Sequence, residues 1–350
     1  MLHNLAFNRL GLQDMMVDLE EKFFAGQWSE ARAERPIFIT SLPRAGTTIL
    51  LEALHRLPGL ATHIYRDMPF VLTPVLWSRL AGRFHRQSEH SERAHGDGLA
   101  INEDSPEAFE EVLWQQYYPH KYTKRRIALW HPEDADAGFT QFFHEHIKKI
   151  VALRQPLHLA EGRYLSKNNS NIARVELLRN IFPDTHIIVP LRHPVEHAIS
   201  LCRQHKNFTE QHAADPFVKK YMSDIGHYEF GALHRLVDFA GLDVLLGESA
   251  PESVDYWLAY WISAFRHLSI QPGIEFISYE SLCAEATRGM TRLCEHLGIK
   301  ASESAIATAA SVFRSPPIPR KDDVHPDPSL TNQVMELYES LRQRCLIRTG

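Results

Sequence analysis

Residues 36–48 constrain this chain more than any other segment. They read Pro36-Ile37-Phe38-Ile39-Thr40-Ser41-Leu42-Pro43-Arg44-Ala45-Gly46-Thr47-Thr48. Pro36 to Ser41 is short, apolar and β-rich, the pattern of a buried strand. The turn from Leu42 to Gly46 leads into a predicted helix from Thr47 to Leu57, which Pro58-Gly59 closes. A helix start at this place leaves backbone N–H groups unpaired and favours negative charge, so the unit predicts an anion site. Gly46 lets the backbone approach a ligand closely. Arg44 can grip phosphate or sulfonate oxygens with two donors, and Thr47 and Thr48 add hydroxyls.

The rest of the chain sets this unit in an alternation of strands and helices. Strands are expected near Tyr164-Leu165-Ser166, Thr185 to Val189 and Ile274 to Ser278. Helices are expected over residues 10–25, 69–82, 139–153, 171–182, 254–268 and 281–297, and another opens at Pro194. Ser105-Pro106-Glu107, a capping serine, a first-turn proline and an acid, predicts a helix running to about Tyr118. Residues 83–104 are polar and rich in Gly, His and Ser, the composition of a long loop or lid. The alternation predicts an α/β fold with a parallel sheet and helices on both faces. Ligands in such sheets sit at the carboxyl ends of the strands.

Composition narrows the function. The charge balance is 38 Lys and Arg against 43 Asp and Glu, a formal −5. That argues against nucleic acid over the whole surface while leaving room for one basic pocket. The four cysteines form no CxxC pair, so zinc-ribbon and redox motifs lack support and a reducing, cytoplasmic setting is expected. Met1 to Gln13 lacks the pattern of a signal peptide, and no run of eighteen apolar residues predicts a membrane span. The 21 histidines are read as surface and core residues, with His85, His90 and His95 in the polar stretch and off any common helical face.

Against the nucleotide-hydrolase loop GxxxxGK[ST], Ser41 takes the first glycine's place, Gly46 the second's, and Thr47 stands where lysine belongs. The group that reaches the β and γ phosphates is therefore missing. A second candidate anion segment is Leu191-Arg192-His193-Pro194-Val195-Glu196-His197-Ala198-Ile199-Ser200. Arg192 ends a predicted strand, and Ser200 lies two turns into the following helix. His193 to His197 also matches the inverted zinc motif H-x-x-E-H, but Pro194 disfavours helical geometry at His193.

Pro43 to Thr48 after an apolar strand, with Arg192 and Ser200 downstream, resembles the sulfotransferase family that uses phosphoadenosine phosphosulfate (PAPS). The likeness is nearest to its bacterial and tyrosylprotein branch, and runs from about residue 36 to 321. It implies one P-loop-like three-layer domain over 1–350, with a central parallel sheet flanked by helices. Residues 1–34 would be a helical extension, 69–160 a helical acceptor-side insertion and 325–350 a C-terminal helix. Arg44, Ala45, Gly46, Thr47 and Thr48 would form the 5′-phosphosulfate loop, and Arg192 and Ser200 would hold the 3′-phosphate. Lys167, in Ser166-Lys167-Asn168-Asn169, would sit near the sulfonate, and Tyr279 would contact adenine. Arg320 and Lys321 either close over the 3′-phosphate or form a solvated charge run. No metal is called for.

The resemblance also implies in-line transfer of a sulfonate to a hydroxyl or amine, with release of adenosine 3′,5′-bisphosphate. Arg44 and Lys167 would stabilise charge, and a base would take the acceptor's proton. Asp67 is the first choice and His63 the second, although Asp67 can instead pair with Arg66 or cap the next helix. Trp77, Trp114, Tyr117, Tyr118 and Trp130 either line an acceptor pocket or pack helices. The acceptor class stays open among small molecules, carbohydrates and peptides, and nothing fixes the oligomeric state. Two other readings remain: a nucleotide kinase or hydrolase with an altered loop, and a nucleotide-binding module without activity.

Overall fold

The computed structural model describes residues 11–81, 91–92, 100–101, 103–155, 162–314 and 326–348. Its centre is a five-stranded sheet of β1 (Ile37–Ile39), β2 (Leu60–Ala61), β3 (Arg163–Lys167), β4 (His186–Leu191) and β5 (Ile274–Ser278). The spatial order is β2-β3-β1-β4-β5, and every pairing is parallel. Ile37 lies between Leu165 and His186, and Ile39 between Lys167 and Ile188.

Alternate strand residues enter two apolar cores. Phe38, Tyr164, Ile187, Val189 and Phe276 pack on one face. Ile37, Ile39, Leu165, Ile188 and Ile277 pack on the other. Burial on both faces explains the unbroken apolar runs in the strands. The helices used below are α1 (Leu12–Phe24), α2 (Thr47–His55), α3 (Ala137–Arg154), α4 (Val175–Ile181), α5 (Pro194–Ala214), α6 (Val254–Ile270), α7 (Ala286–Leu297) and α8 (Pro328–Gln343).

From β1 the chain leads to the β2 edge, and from β4 it leads to the β5 edge. The connections diverge between β1 and β4, and such a divergence opens a crevice at the carboxyl ends of the two strands. The segments that begin at Thr40 and Arg192 both start there.

Two sequence expectations change. Ser105-Pro106-Glu107 does not open a helix, because its backbone is taken by another partner. Tyr65 N–H donates to Ser105 O, Glu107 N–H donates to His63 O, and Pro106 bridges Ile64 antiparallel. The helix begins only at Glu111. The expected helix over 281–297 is two helices, Tyr279–Ala284 and α7, broken at Glu285, whose φ is −129°. The lid expected over 83–104 falls mostly outside the described residues, as do His85, His90, His95, Arg320 and Lys321. No helix among the described residues is long and apolar enough to cross a membrane. All four cysteines are buried free thiols.

Candidate active site

The loop after β1 is fixed from below. Ser41 Oγ donates to Pro190 O (2.9 Å), and the His197 Nε2–H donates to Pro43 O (2.7 Å). Burial, then the Arg192 charge, pushes the His197 imidazole down to about 3, so it stays neutral and keeps that bond. Arg44 has φ +70°, a left-handed backbone that costs a non-glycine residue about 1–3 kcal/mol. Arg192 Nη1 secures it by donating to Arg44 O at 2.9 Å. Gly46, at φ +92°, then caps α2 and turns the chain into the helix. Thr47 is buried and Thr48 is half-buried on the first turn.

Four side chains named from sequence meet here. Arg44 Nε donates to Ser200 Oγ at 3.4 Å, which joins the loop to the second turn of α5. The Arg192 guanidinium stands 5.7 Å from the Tyr279 ring centre. The same ring lies against Gly46. Loop, strand-end arginine, helix serine and tyrosine therefore form one cationic cluster at the carboxyl end of the sheet, beside the N-terminus of α2. Ala45, within the loop, is buried.

Lys167 is the last residue of β3, opposite Ile39, and is buried. The chain turns directly after it. Asn169 Oδ1 accepts from Thr47 Oγ1 (3.2 Å), and Asn169 Nδ2 donates to Glu229 Oε1 (3.1 Å). Asn168 Nδ2 donates to Glu111 Oε2 (2.7 Å). Glu111 also pairs with the fully buried Arg174 at 2.9 Å. Arg174 sits between Trp114 and Trp130, 4.5 and 4.3 Å from their ring centres. Two indole faces stabilise the guanidinium nitrogens that lack hydrogen-bond partners. Trp114, Tyr118 and Trp130 are thus packing residues of the core; Tyr117 packs half-buried against Phe139 and Phe142, and Trp77 donates to Arg66 O.

Sequence reasoning missed a narrow cleft, of about 20 Å³ cavity volume, lined by Leu42, Pro43 and Asn169. Tyr228, Glu229, Trp257 and Tyr260 also line it. These residues lie far from the loop in sequence and carry no local motif, which is why pattern alone does not find them. The Glu229–Asn169–Thr47 chain runs from its wall to the start of α2.

Asp67 is not placed as an accessible base. It is buried, one oxygen is bonded to Arg154, and the other accepts from Ile64 N–H (3.0 Å) and lies 3.3 Å from His63 Nδ1. Burial alone would raise its pKa, but the His63 hydrogen bond and the Arg154 charge outweigh that and hold it below the ordinary carboxylate value. A carboxylate so stabilised is a weak proton acceptor. Arg66 pairs with Asp104 instead (2.6 Å). His63 is equally committed, its Nε2 lying 3.1 Å from His146 Nε2. The zinc motif is likewise dispersed: His193 caps α5 with non-helical backbone, and His197 is bound to the loop.

Comparison with known proteins bears on the family and the fold. A family model described as "Sulfotransferase family" matches residues 36–303. Among solved structures, the sulfotransferase STF9 from Mycobacterium avium is similar at 13% identity, with 95% of this chain and 82% of that chain covered and a TM-score of 0.51. The sulfotransferase STF1 from Mycobacterium tuberculosis H37Rv matches at 14% identity, with 94% and 82% covered and a TM-score of 0.48. No curated protein matches the sequence.

Proposed function

The chain belongs to the sulfotransferase family, and from that premise we propose that it moves a sulfonate from PAPS to a hydroxyl or amine acceptor in the cytoplasm. The observation that carries the choice of donor is the convergence of Arg44, Arg192, Ser200 and Tyr279 on one loop. ATP chemistry asks for a lysine on the helix turn, and Thr47 stands there. A 3′-phosphate asks for a second set of donors beside the first loop, and Arg192 with Ser200 supplies it.

PAPS, when bound, supplies an activated sulfonate whose bond to the bridging oxygen breaks as the acceptor's bond to sulfur forms. The chain's residues do the remaining work. The N–H groups of Gly46, Thr47 and Thr48 and the Arg44 guanidinium hold the 5′ end, and Lys167 faces the charge that develops on the leaving oxygen. Tyr279 offers a face to adenine. The acceptor approaches at the mouth of the narrow cleft lined by Leu42, Asn169 and Glu229. Glu229 takes the acceptor's proton in place of Asp67 or His63, because it lines the cleft and reaches Thr47 through Asn169. Transfer by positioning and charge alone requires no metal. The acceptor is a small molecule, a sugar or a peptide side chain.

The donor assignment is tested by thermal unfolding with adenosine 3′,5′-bisphosphate and, separately, with ATP and magnesium. Binding to the folded state raises Tm by mass action. A rise with the bisphosphate alone supports PAPS, and a rise with ATP and magnesium alone overturns it.

A further inference from the structure

At the opposite end of the sheet, three potential metal ligands converge that the sulfonate reaction does not use. His186 opens β4, Glu275 is the second residue of β5, and His296 is the penultimate residue of α7. The strand register places Glu275 beside Ile188. His186 and Ile188 point to one face because side chains alternate along a strand. That face is the one α7 covers through Leu293 and Leu297.

His186 Nδ1 is 2.8 Å from Glu275 Oε1, and His296 Nε2 is 3.2 Å from the same oxygen. The three donor atoms lie within 4.8 Å of one another. A tetrahedral zinc with bonds of about 2.0–2.2 Å needs ligand atoms roughly 3.3 Å apart, so small side-chain shifts satisfy it. Glu275 Oε2 is buried and has no hydrogen-bond partner among the described residues, so a second oxygen is available. His296 is partly exposed, which leaves an entry path and a fourth position for water. Two imidazoles and one carboxylate are a borderline donor set that suits zinc better than calcium or magnesium.

We infer that His186, Glu275 and His296 form a Zn²⁺ site that clips β4, β5 and α7 together at the end of the sheet away from the anion loop. Binding moves the His186 ring proton from Nδ1 to Nε2 and the His296 ring proton from Nε2 to Nδ1, which frees the two ligating nitrogens. The exposed Arg35 side chain, which donates to Nε2 at 3.1 Å, turns away as it does so.

The full chain, freed of any affinity tag and of metal, is titrated with zinc against a chromophoric chelator. The same is done for His296→Ala and Glu275→Gln. His296 is on the helix surface, so its loss spares the fold, and adenosine 3′,5′-bisphosphate binding reports that each variant is folded. One equivalent of zinc in the wild type, a zinc-dependent rise in its Tm, and affinity at least about tenfold weaker in both variants are expected. Zinc uptake by His296→Ala equal to that of the wild type, or no uptake by the wild type, overturns the site. Because bisphosphate binding is read separately, failure here leaves the donor assignment standing.

Discussion

The Tyr279 ring lies so close to Gly46 that a β-carbon on Gly46 would stand 2.4 Å from Tyr279 Cδ2. The tyrosine therefore requires a glycine, quite apart from the loop's φ of +92°. Gly46→Ala should cost about 1–2 kcal/mol for the left-handed backbone, with the ring clash in addition. Adenosine 3′,5′-bisphosphate affinity, measured by calorimetry, should fall more than about tenfold. Adding Tyr279→Ala relieves the clash but not the backbone, and it also removes the face offered to adenine, so its effect is read in unfolding stability, where recovery should be partial. Full recovery in the double variant would show that the backbone conformation is unimportant.

Arg192 acts twice, as a charge in the cluster and as the donor to Arg44 O. Arg192→Ala should weaken bisphosphate binding about 10- to 150-fold, from a loss of about 1.5–3 kcal/mol. Circular dichroism should show an intact fold. Unchanged affinity would remove Arg192 from the 3′-phosphate site.

Glu229→Gln keeps the shape of the cleft and an oxygen for Asn169, yet it cannot accept a proton. Turnover should fall about 10²- to 10⁴-fold while bisphosphate affinity stays within a factor of two or so. Since the acceptor is open, turnover is read as label moving from ³⁵S-PAPS into a panel of phenols, sugars and peptides. A Glu229→Gln enzyme with wild-type turnover would rule out Glu229 as base.

Asp67→Asn should act on stability instead. Removing one partner of a buried ion pair costs about 3 kcal/mol or more. Because the folded pKa of Asp67 is depressed, its contribution is complete above the unfolded value near 3.8 and is lost as pH falls through the folded value. Urea denaturation should show a wide gap between wild type and variant at pH 7 that narrows below pH 4. A stable variant that binds bisphosphate normally but has lost turnover would restore Asp67 to the chemistry.

His197 and His234 are both pushed by burial down to about 3 and kept neutral. The unfolded chain binds protons at these groups from about pH 6.5 downward, while the folded chain does not. Stability should therefore fall as pH drops from 6.5 towards 3, by up to about 1.4 kcal/mol per pH unit for each histidine. His197→Gln should flatten that slope by its own share, and an unaltered slope would mean His197 is protonated in the native state.

Much of this was legible in the chain. An apolar run, an abrupt turn and Gly46 before Thr47-Thr48 carry their geometry locally, so β1, the loop and α2 could be read directly. Arg192 and Ser200 share one strand–helix unit, so their spacing had meaning before their position did. Other signals misled for physical reasons. Ser105-Pro106-Glu107 carries the chemistry of a helix start, but backbone pairing with His63 and Tyr65 outweighs a local cap. Asp67 read as a candidate base because Arg154, its partner, is 87 residues away. Glu229 was invisible because its place in the cleft is made by Asn169, 60 residues earlier.

The guanidinium held between Trp114 and Trp130 has a further consequence for engineering. Through Glu111 and Asn168, it couples the helical segment around Glu111 to the turn that presents Asn169. A graft that exchanges residues 69–160 for those of a relative, to alter acceptor preference, would separate Arg174 from Glu111, Trp114 and Trp130. The helical segment is therefore not an independent cassette. A transplant that carries the four residues as a unit preserves the turn, whereas one that omits Arg174 strands a charge in the core and displaces the residue that reaches Thr47.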